Sequence, residues 1–252
     1  MTNINEIVAY THSLLRVDDF RDYCPNGLQV EGRSEVQRIV AGVTASQQLV
    51  DAAIAARADM LLVHHGYFWR DENPAIVGIK RQRIAALLQH GINLVAYHLP
   101  LDAHLLYGNN AGLAAQMGWQ IEGVSGHGAA KQLLFYGRLP KALTVSEVSA
   151  SIQQGLQREP LCLSGGDKLI ERIAWCTGGA QGFFEQAIAL GVDAYITGEA
   201  SEQQTHLAAE SGVHFIAAGH HATECYGPRN LAAHLGQHFQ LEHRFIEISN
   251  PV

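Results

Sequence analysis

The sequence predicts an α/β protein made of two similar halves, because the chain contains an internal repeat. Residues 39–65 (IVAGVTASQQLVDAAIAARADMLLVHH) and 173–199 (IAWCTGGAQGFFEQAIALGVDAYITGE) match at a constant offset of 134, which also aligns Asp59 with Asp193. Self-similarity at a fixed offset indicates repeated structural units. Chance similarity of two generic α/β segments is the alternative. The shared order of strand, helix and polar strand end favours duplication.

Each copy contains the elements of a parallel sheet. A short apolar strand leads into a small-residue turn, VTAS or CTGG, and then into a helix with an apolar period of about 3.6 residues. A second strand follows, MLLV or AYIT. The pattern continues in AALLQHGINLVAYH (85–98) and HLAAESGVHFIAAGHH (206–221), each a helix end, a glycine and an apolar strand. Such β-α-β-α-β units predict parallel strands joined by right-handed crossovers.

The repeat suggests a division of the chain into three parts. We expect residues 1–123 to form the first half, 124–172 a connecting region and 173–252 the second half. The connecting region contains the glycine-rich SGHGAAK, the strand-like LLFYGRL and a helical stretch near 144–157. It is too short for an independent domain of usual size, so we expect it to complete one or both halves.

The composition excludes several classes of protein. With 47% hydrophobic and 16% charged residues the chain is an ordinary globular protein, and its net charge of −7 argues against general nucleic-acid binding. The first residues lack the features of a signal peptide, and no apolar run is long enough for a membrane span. The four cysteines show no CxxC spacing, which favours reduced thiols. We expect a cytoplasmic protein with no membrane partner.

Polar side chains end the predicted strands in both copies. The stretch LLVHHGYFW (61–69) finishes an apolar strand on two adjacent histidines, and HLPLD (98–102) and HHATE (220–224) follow the next strand of each copy. Ligands of open α/β sheets bind beyond the carboxyl ends of the strands. The His-x₃-carboxylate spacing places both groups on one side of a helical turn. The side chains are His64, His65, His98, Asp102, His220 and Glu224.

Imidazole and carboxylate groups together suit divalent Zn, Fe, Mn, Co or Ni, and the absence of thiolates argues against a soft Cu(I) or iron–sulfur site. Taken singly, each group has a structural explanation. A histidine at a strand end is often hydrogen-bonded or solvated, Asp102 could cap a turn, and Glu224 could be an exposed helix charge. Their recurrence at equivalent strand ends favours a metal site.

The motifs occur in the order of a known family. VTAS, LLVHHGYFW, AYHLPLDAH with GNN after it, CTGG, ITGEASEQ and AAGHHATE resemble those of the GTP cyclohydrolase 1 type 2 homologues, also called Nif-three-like dinuclear metal proteins. The similarity spans nearly the whole chain, and VHHG with GHHATE is specific in combination. The chain resembles the short bacterial form, because residues 124–172 leave no room for an extra middle domain.

The resemblance implies two adjacent divalent ions held by His64, His65, His98, Asp102, His220 and Glu224. It also implies a ring-shaped homohexamer and purine-ring opening of GTP. From the strand-end positions we also expect the two similar halves, with mostly parallel sheets, to face a shared metal-binding cleft, to which each half contributes one His-x₃-carboxylate pair.

Six side chains for two ions leave open coordination positions, as in catalytic sites. The leading interpretation is a dinuclear metal-dependent hydrolase acting on a nucleotide or a related phosphorylated metabolite. A non-catalytic metal-binding or interaction protein, such as a scaffold, is the alternative, because the sequence has no Walker loop, GxGxxG motif or arginine cluster. GNN and CTGG could offer backbone amides to phosphate, or could be plain connections.

Glu199 takes the place in the second copy that His65 takes in the first. We expect it to handle protons or orient water beside the metals. The alternative is a surface or helix-capping carboxylate. The remaining histidines, His127 among them, have no matching partners and are expected to have ordinary roles.

Overall fold

A computed structural model describes residues 1–126 and 132–252 of the chain. Most of the SGHGAAK stretch, including His127, lies outside the described residues. The chain folds into two compact units: unit 1 contains Met1–Gly108 and Cys225–Ser249, and unit 2 contains Asn109–Glu224 and Asn250–Val252.

Strands and helices alternate along the chain, as expected for an α/β fold. The strands are β1 Thr2–Asn3, β2 Gly27–Val30, β3 Glu35–Val36, β4 Arg38–Thr44, β5 Met60–His65, β6 Asn93–Ala96, β7 Gln120–Ser125, β8 Leu134–Leu143, β9 Leu161–Leu163, β10 Ile170–Trp175, β11 Ala194–Thr197, β12 His214–Ala217 and β13 Glu242–Phe245. The helices are α1 Ile4–Leu15, α2 Gln47–Ala55, α3 Gly78–His90, α4 Leu99–Ala103, α5 Asn109–Met117, α6 Val145–Leu156, α7 Phe184–Ala189, α8 Gln203–Ser211, α9 His220–Thr223 and α10 Tyr226–Phe239.

Local sequence explains where several helices begin and end. The VTAS turn ends at Ser46, whose hydroxyl accepts from the backbone N–H of Leu49 and caps α2. Helix α6 begins with a capping box between Thr144 and Glu147. The left-handed backbone of Gly91 (φ 63°) ends α3 before strand β6. A glycine adopts this conformation at little cost, so these boundaries follow from local chemistry.

Unit 1 is a doubly wound sheet in the order β13-β4-β5-β6-β2. Strands β13, β4, β5 and β6 run parallel, and β2 pairs antiparallel with β6 at one edge. Successive residues of β5 enter different hydrophobic clusters: Leu62 packs with residues of α1 and α10, whereas Leu61 packs with residues of α2 and α3. Both faces of the sheet are therefore buried, which explains the continuous apolar strands. Strands β1 and β3 form a separate antiparallel pair.

Unit 2 contains a sheet in the order β7-β8-β10-β11-β12-β9. Its centre, β10-β11-β12, is parallel, and β7, β8 and β9 add antiparallel pairs around it. Large side chains fill the core, including the fully buried Trp175, Tyr195 and Phe215. The connecting region predicted at 124–172 therefore supplies β8, α6 and β9 to this unit.

The parallel centres of the two units share one register. Ile39 pairs with Met60 in unit 1, and Ile173 pairs with Ala194 in unit 2, again at an offset of 134. The same offset also relates two sets of hydrogen bonds. In unit 1 the backbone N–H groups of Gln37 and Arg38 donate to Oδ2 of Asp59. In unit 2 those of Glu171 and Arg172 donate to Oδ2 of Asp193. This recurrence supports the predicted duplication.

The boundaries of the compact units differ from the predicted 1–123, 124–172 and 173–252. Helix α5 and strand β7 belong to unit 2, so the first unit ends earlier, at Gly108. Most of the C-terminal segment returns to unit 1, because β13 pairs parallel with β4 and α10 packs against the same sheet. A repeat in sequence does not reveal which sheet edge a later strand will join.

None of the helices within 1–126 and 132–252 combines the length and apolar character needed to cross a membrane.

Candidate metal centre

Three predicted ligands meet at the carboxyl end of the unit 1 sheet. His64 and His65 end β5, and His98 follows the neighbouring parallel strand β6. The ring centroids lie 4.6 Å apart for His64–His65, 5.1 Å for His64–His98 and 5.8 Å for His65–His98. One ring nitrogen of each lies within 4.8 Å of the others. Three imidazoles at this spacing can hold a divalent ion.

The glycine after the two histidines is required by close packing. A Cβ atom at Gly66 would lie 2.1 Å from Oε1 of Gln29, an oxygen that accepts from the backbone N–H of Tyr67. A larger residue would therefore push aside the Gln29 amide with its hydrogen bond to Tyr67, and would also crowd Cβ of Ala96 at 2.8 Å.

The Nδ1 atoms of these histidines face acceptors of the protein. His64 Nδ1 lies 2.9 Å from the carbonyl oxygen of Tyr97, and His98 Nδ1 lies 2.7 Å from Oδ1 of Asp22. Both partners only accept, so Nδ1 carries the proton and Nε2 presents its lone pair. His65 Nδ1 lies 3.2 Å from the Thr44 hydroxyl, which can donate or accept.

Asp102 completes the unit 1 set from helix α4. Its backbone N–H donates to the carbonyl oxygen of His98, which closes the turn predicted from the His-x₃-Asp spacing. The residue is buried, and Oδ1 lies 3.4 Å from Nε2 of His64. A carboxylate oxygen and an imidazole lone pair both attract positive charge, so this geometry fits a cation held by both atoms.

Unit 2 contains the second His-x₃-carboxylate pair, His220 and Glu224. His220 begins α9 and Glu224 follows its end, with Nε2 and Oε2 3.1 Å apart. Glu224 is buried, and Glu199 lies behind the imidazole with Oε1 2.6 Å from Nδ1 of His220. Burial lowers the pKa of His220, but Glu224 and Glu199 outweigh it and raise the pKa to about 9. The two carboxylates therefore make this a position that favours positive charge.

The CTGG turn makes room for Glu224. Gly178 has a φ of 72°, and a Cβ atom there would lie 2.0 Å from Oε1 of Glu224. The amide of Gly178 donates to the Thr223 hydroxyl, and that of Thr177 donates to Oδ1 of Asn110 in the GNN motif. The amides of Thr177 and Gly178 therefore have acceptors within unit 2, which favours a structural role for this part of the CTGG turn.

Sequence reasoning missed residues of unit 1 that surround His98. Asp22 lies against its ring nitrogen, Oδ1 of Asn26 accepts from its backbone N–H at 2.7 Å, and the Trp69 ring meets its ring edge-on at a centroid distance of 5.0 Å. Cys24 also lies near Asp22 and His98, but burial and the charge of Asp22 raise the pKa of its thiol to about 12. A protonated thiol is a poor metal ligand. No sequence motif marked Asp22, Cys24 or Asn26, whereas Trp69 ends the LLVHHGYFW motif but was given no role.

Comparisons with known proteins agree with the fold and the motifs. The chain is 55% identical over 248 residues to the "GTP cyclohydrolase 1 type 2 homolog" of Pseudomonas aeruginosa, with 98% of each chain covered. It is 49% identical over 251 residues to the protein of the same name from Neisseria meningitidis serogroup B, with 100% of each covered.

Solved structures are similar over their full length. Protein ybgI, described as of unknown function, has 46% identity and a TM-score of 0.95, and TTHA1606 from Thermus thermophilus has 35% identity and a TM-score of 0.89. Each comparison covers 100% of both chains.

The profile of the family described as Duf34/NIF3 (NGG1p interacting factor 3) matches residues 2–251. Because the family profile matches almost the whole chain and a relative shares 55% sequence identity with it, the protein belongs to the Duf34/NIF3 family.

Proposed function

We propose that the protein is a metal-dependent hydrolase that holds two divalent ions with His64, His65, His98, Asp102, His220 and Glu224. The observation that carries the proposal is the geometry of Asp102 Oδ1 and His64 Nε2, two electron-pair donors 3.4 Å apart in the buried part of unit 1. A buried carboxylate is costly unless a charge compensates it, and a divalent ion supplies that charge.

The donor set also supports this assignment. Four imidazoles and two carboxylates suit Zn, Fe, Mn, Co or Ni, and the identity of the native metal stays open. Hydrogen bonds from Nδ1 of His64 and His98 orient the rings so that Nε2 is available to an ion. When bound, such ions polarise a substrate carbonyl or phosphoryl oxygen and acidify water.

Glu199 contributes through two oxygens with different surroundings. Oε1 accepts from Nδ1 of His220 and thereby orients that ring, whereas Oε2 has a longer contact of 3.4 Å with Nε2 of Gln181. The Glu199 side chain is 37% exposed, so Oε2 can exchange a proton with solvent or substrate. This arrangement supports a proton-handling role for Glu199.

The name of the relatives and the charge of the site support the proposed substrate class. Relatives carry the name "GTP cyclohydrolase 1 type 2 homolog", which favours a nucleotide or a related phosphorylated metabolite and cyclohydrolase-like ring opening. Two divalent ions beside two carboxylates leave a net attraction for an anionic group. We further propose a cytoplasmic homohexamer without a membrane or general nucleic-acid partner.

A second candidate is a non-catalytic metal-binding or interaction protein. The family description, NGG1p interacting factor 3, names an interaction and no reaction. Under this alternative the protein either holds its ions without turnover or acts as a scaffold for a partner.

Turnover by the reconstituted protein separates the two candidates. The chelated full-length chain is reloaded with Mn, Zn, Fe, Co or Ni and assayed on a panel of nucleotides and phosphoesters, with the Asp102→Ala variant as control. Metal-dependent hydrolysis that the control lacks would support the hydrolase. Full metal loading with no turnover on any substrate would favour the second candidate, and failure to bind metal would contradict the hydrolase and leave only an interaction protein.

A further inference from the structure

Asp22 is a buried carboxylate that contacts the Nδ1 side of the His98 ring, whereas the proposed metal-binding atom of that ring is Nε2. The Asp22 side chain is only 3% exposed, although it lies in an irregular segment between the first helix and β2. A carboxylate so removed from water must be stabilised by hydrogen bonds or a counter-charge.

Four donors surround the Asp22 carboxylate. Oδ1 accepts from His98 Nδ1 at 2.7 Å and from the backbone N–H of Tyr23 at 2.6 Å. Oδ2 accepts from the backbone N–H of Leu99 at 2.9 Å and from Nδ2 of Asn26 at 2.8 Å. A carboxylate has about four acceptor positions, so this site uses its full capacity on protein donors.

Two of these interactions hold His98 in place. Asp22 accepts from Nδ1 of the His98 ring and from the backbone N–H of Leu99, the next residue. Asn26 adds a third restraint, because it accepts from the backbone N–H of His98 while its Nδ2 donates to Asp22. The imidazole is therefore restrained in rotation, and its Nδ1 must carry the proton. Unit 2 repeats this arrangement, since Glu199 accepts from Nδ1 of His220.

We propose that Asp22 is the positioning residue of the His98 ligand, which selects its Nδ1-protonated form and holds Nε2 toward the metal. This inference rests on the proposed metal site. It does not make Asp22 a ligand, because each of its lone pairs already faces a donor. A carboxylate behind a metal-bound histidine typically raises metal affinity about 10–100-fold.

The Asp22→Asn variant tests the proposal with almost no change in size. An asparagine cannot accept from all four donors, because one of its two terminal atoms is itself a donor. We expect metal affinity in chelator competition to fall about 10–100-fold. We also expect the ¹⁵N spectrum of the metal-free, full-length chain to show His98 moving from the Nδ1-protonated toward the Nε2-protonated form. The His98→Gln variant assigns that signal.

Asp59→Asn is the matched control, because Asp59 is another buried carboxylate of unit 1 whose Oδ2 accepts two backbone amides. It should lose stability while keeping the His98 tautomer and the metal affinity. An equal loss of affinity in both variants would assign the effect to folding and overturn the proposal. Unchanged tautomer with the loss of one whole ion in Asp22→Asn would make Asp22 a ligand and also overturn it.

The proposed metal site and the role of Asp22 can fail separately. If the wild-type chain binds no metal, the proposed function fails, whereas the tautomer measurement still decides whether Asp22 controls His98. If the wild type binds its ions and Asp22→Asn binds them equally with an unchanged spectrum, only the role of Asp22 is lost.

Discussion

Oδ1 of Asp102 lies 3.4 Å from Nε2 of His64, while Nδ1 of the same imidazole lies 2.9 Å from the carbonyl oxygen of Tyr97. The carbonyl places the proton on Nδ1, so the pair joins an imidazole lone pair and a carboxylate in a buried position. A shared cation stabilises both of these buried groups. The relationship leads directly to predictions about metal content.

Replacing Asp102 or Glu224 with Ala should deplete one or both ions, because each removes a buried carboxylate ligand. We expect elemental analysis to find about two divalent ions per wild-type chain and clearly fewer in each variant. His206→Ala is the control: its side chain is 68% exposed and pairs with Glu202, so metal content should not change. Wild-type content in both carboxylate variants would exclude these residues as ligands.

Replacing Glu199 with Gln should lower turnover while metal content is retained. The Gln Oε1 atom can still accept from His220 Nδ1, but the side chain can no longer take a proton. We expect kcat to fall about 100-fold or more, the usual contribution of a general base. The measurement pairs kcat with metal analysis of the same sample. Wild-type turnover in the variant would remove Glu199 from the proton-transfer steps.

Trp69 should report metal binding in unit 1 through its fluorescence. Its ring centroid lies 5.0 Å from that of His98 and 6.0 Å from that of His65, whereas Trp119 and Trp175 are buried in unit 2. Co²⁺ or Ni²⁺ bound by these histidines should quench Trp69, because partly filled d shells quench nearby indoles. Trp69→Phe should keep its metal and lose most of the signal change. A full change in Trp69→Phe would contradict metal binding at this cluster.

Asp193 should stabilise the fold in a pH-dependent manner. Burial raises its pKa, but Lys168 and the amides of Arg172 and Glu171 outweigh burial and hold the pKa below the usual 3.8. A carboxyl with a lowered folded-state pKa contributes fully above its unfolded pKa, and the contribution is lost as pH falls through the folded value. Asp193→Asn should cost about 1–3 kcal/mol at neutral pH, because the ion pair with Lys168 is lost and the hydrogen bonds from the two amides no longer end on a charged oxygen.

Thermal unfolding of wild type and Asp193→Asn across pH measures this effect. The difference in Tm should be constant near neutrality and shrink below about pH 4. Asp167→Asn, an exposed change in the same unit, should show little difference at any pH. A difference between wild type and Asp193→Asn that grows as pH falls would contradict the assigned sign.

The chain should assemble as a homohexamer, as the resemblance implies. Sedimentation velocity of the full-length protein at micromolar concentration should give one species of about six chains. A metal-free sample tests whether assembly depends on the ions. A monomer alone at these concentrations would contradict the prediction.

The sequence by itself determined the α/β class, the parallel centres and the positions of the candidate ligands. These features depend on local patterns: a strand followed by a polar end, a helix ended by a glycine such as Gly91, and a histidine one helical turn before a carboxylate. The offset that aligns Asp59 with Asp193 also predicted that both occupy equivalent positions, and both accept two backbone amides in the structure.

Only the tertiary structure decided the surroundings of those ligands and the membership of the sheets. Asp22 precedes His98 by 76 residues, and β13 joins the edge of β4 although the second copy lies between them in sequence. The reason for Gly178 in the CTGG turn is likewise the later Glu224, whose carboxylate needs the space of a Cβ atom. These contacts form between residues far apart in the chain. They are selected by packing and by the need to satisfy buried polar groups, which no local pattern encodes.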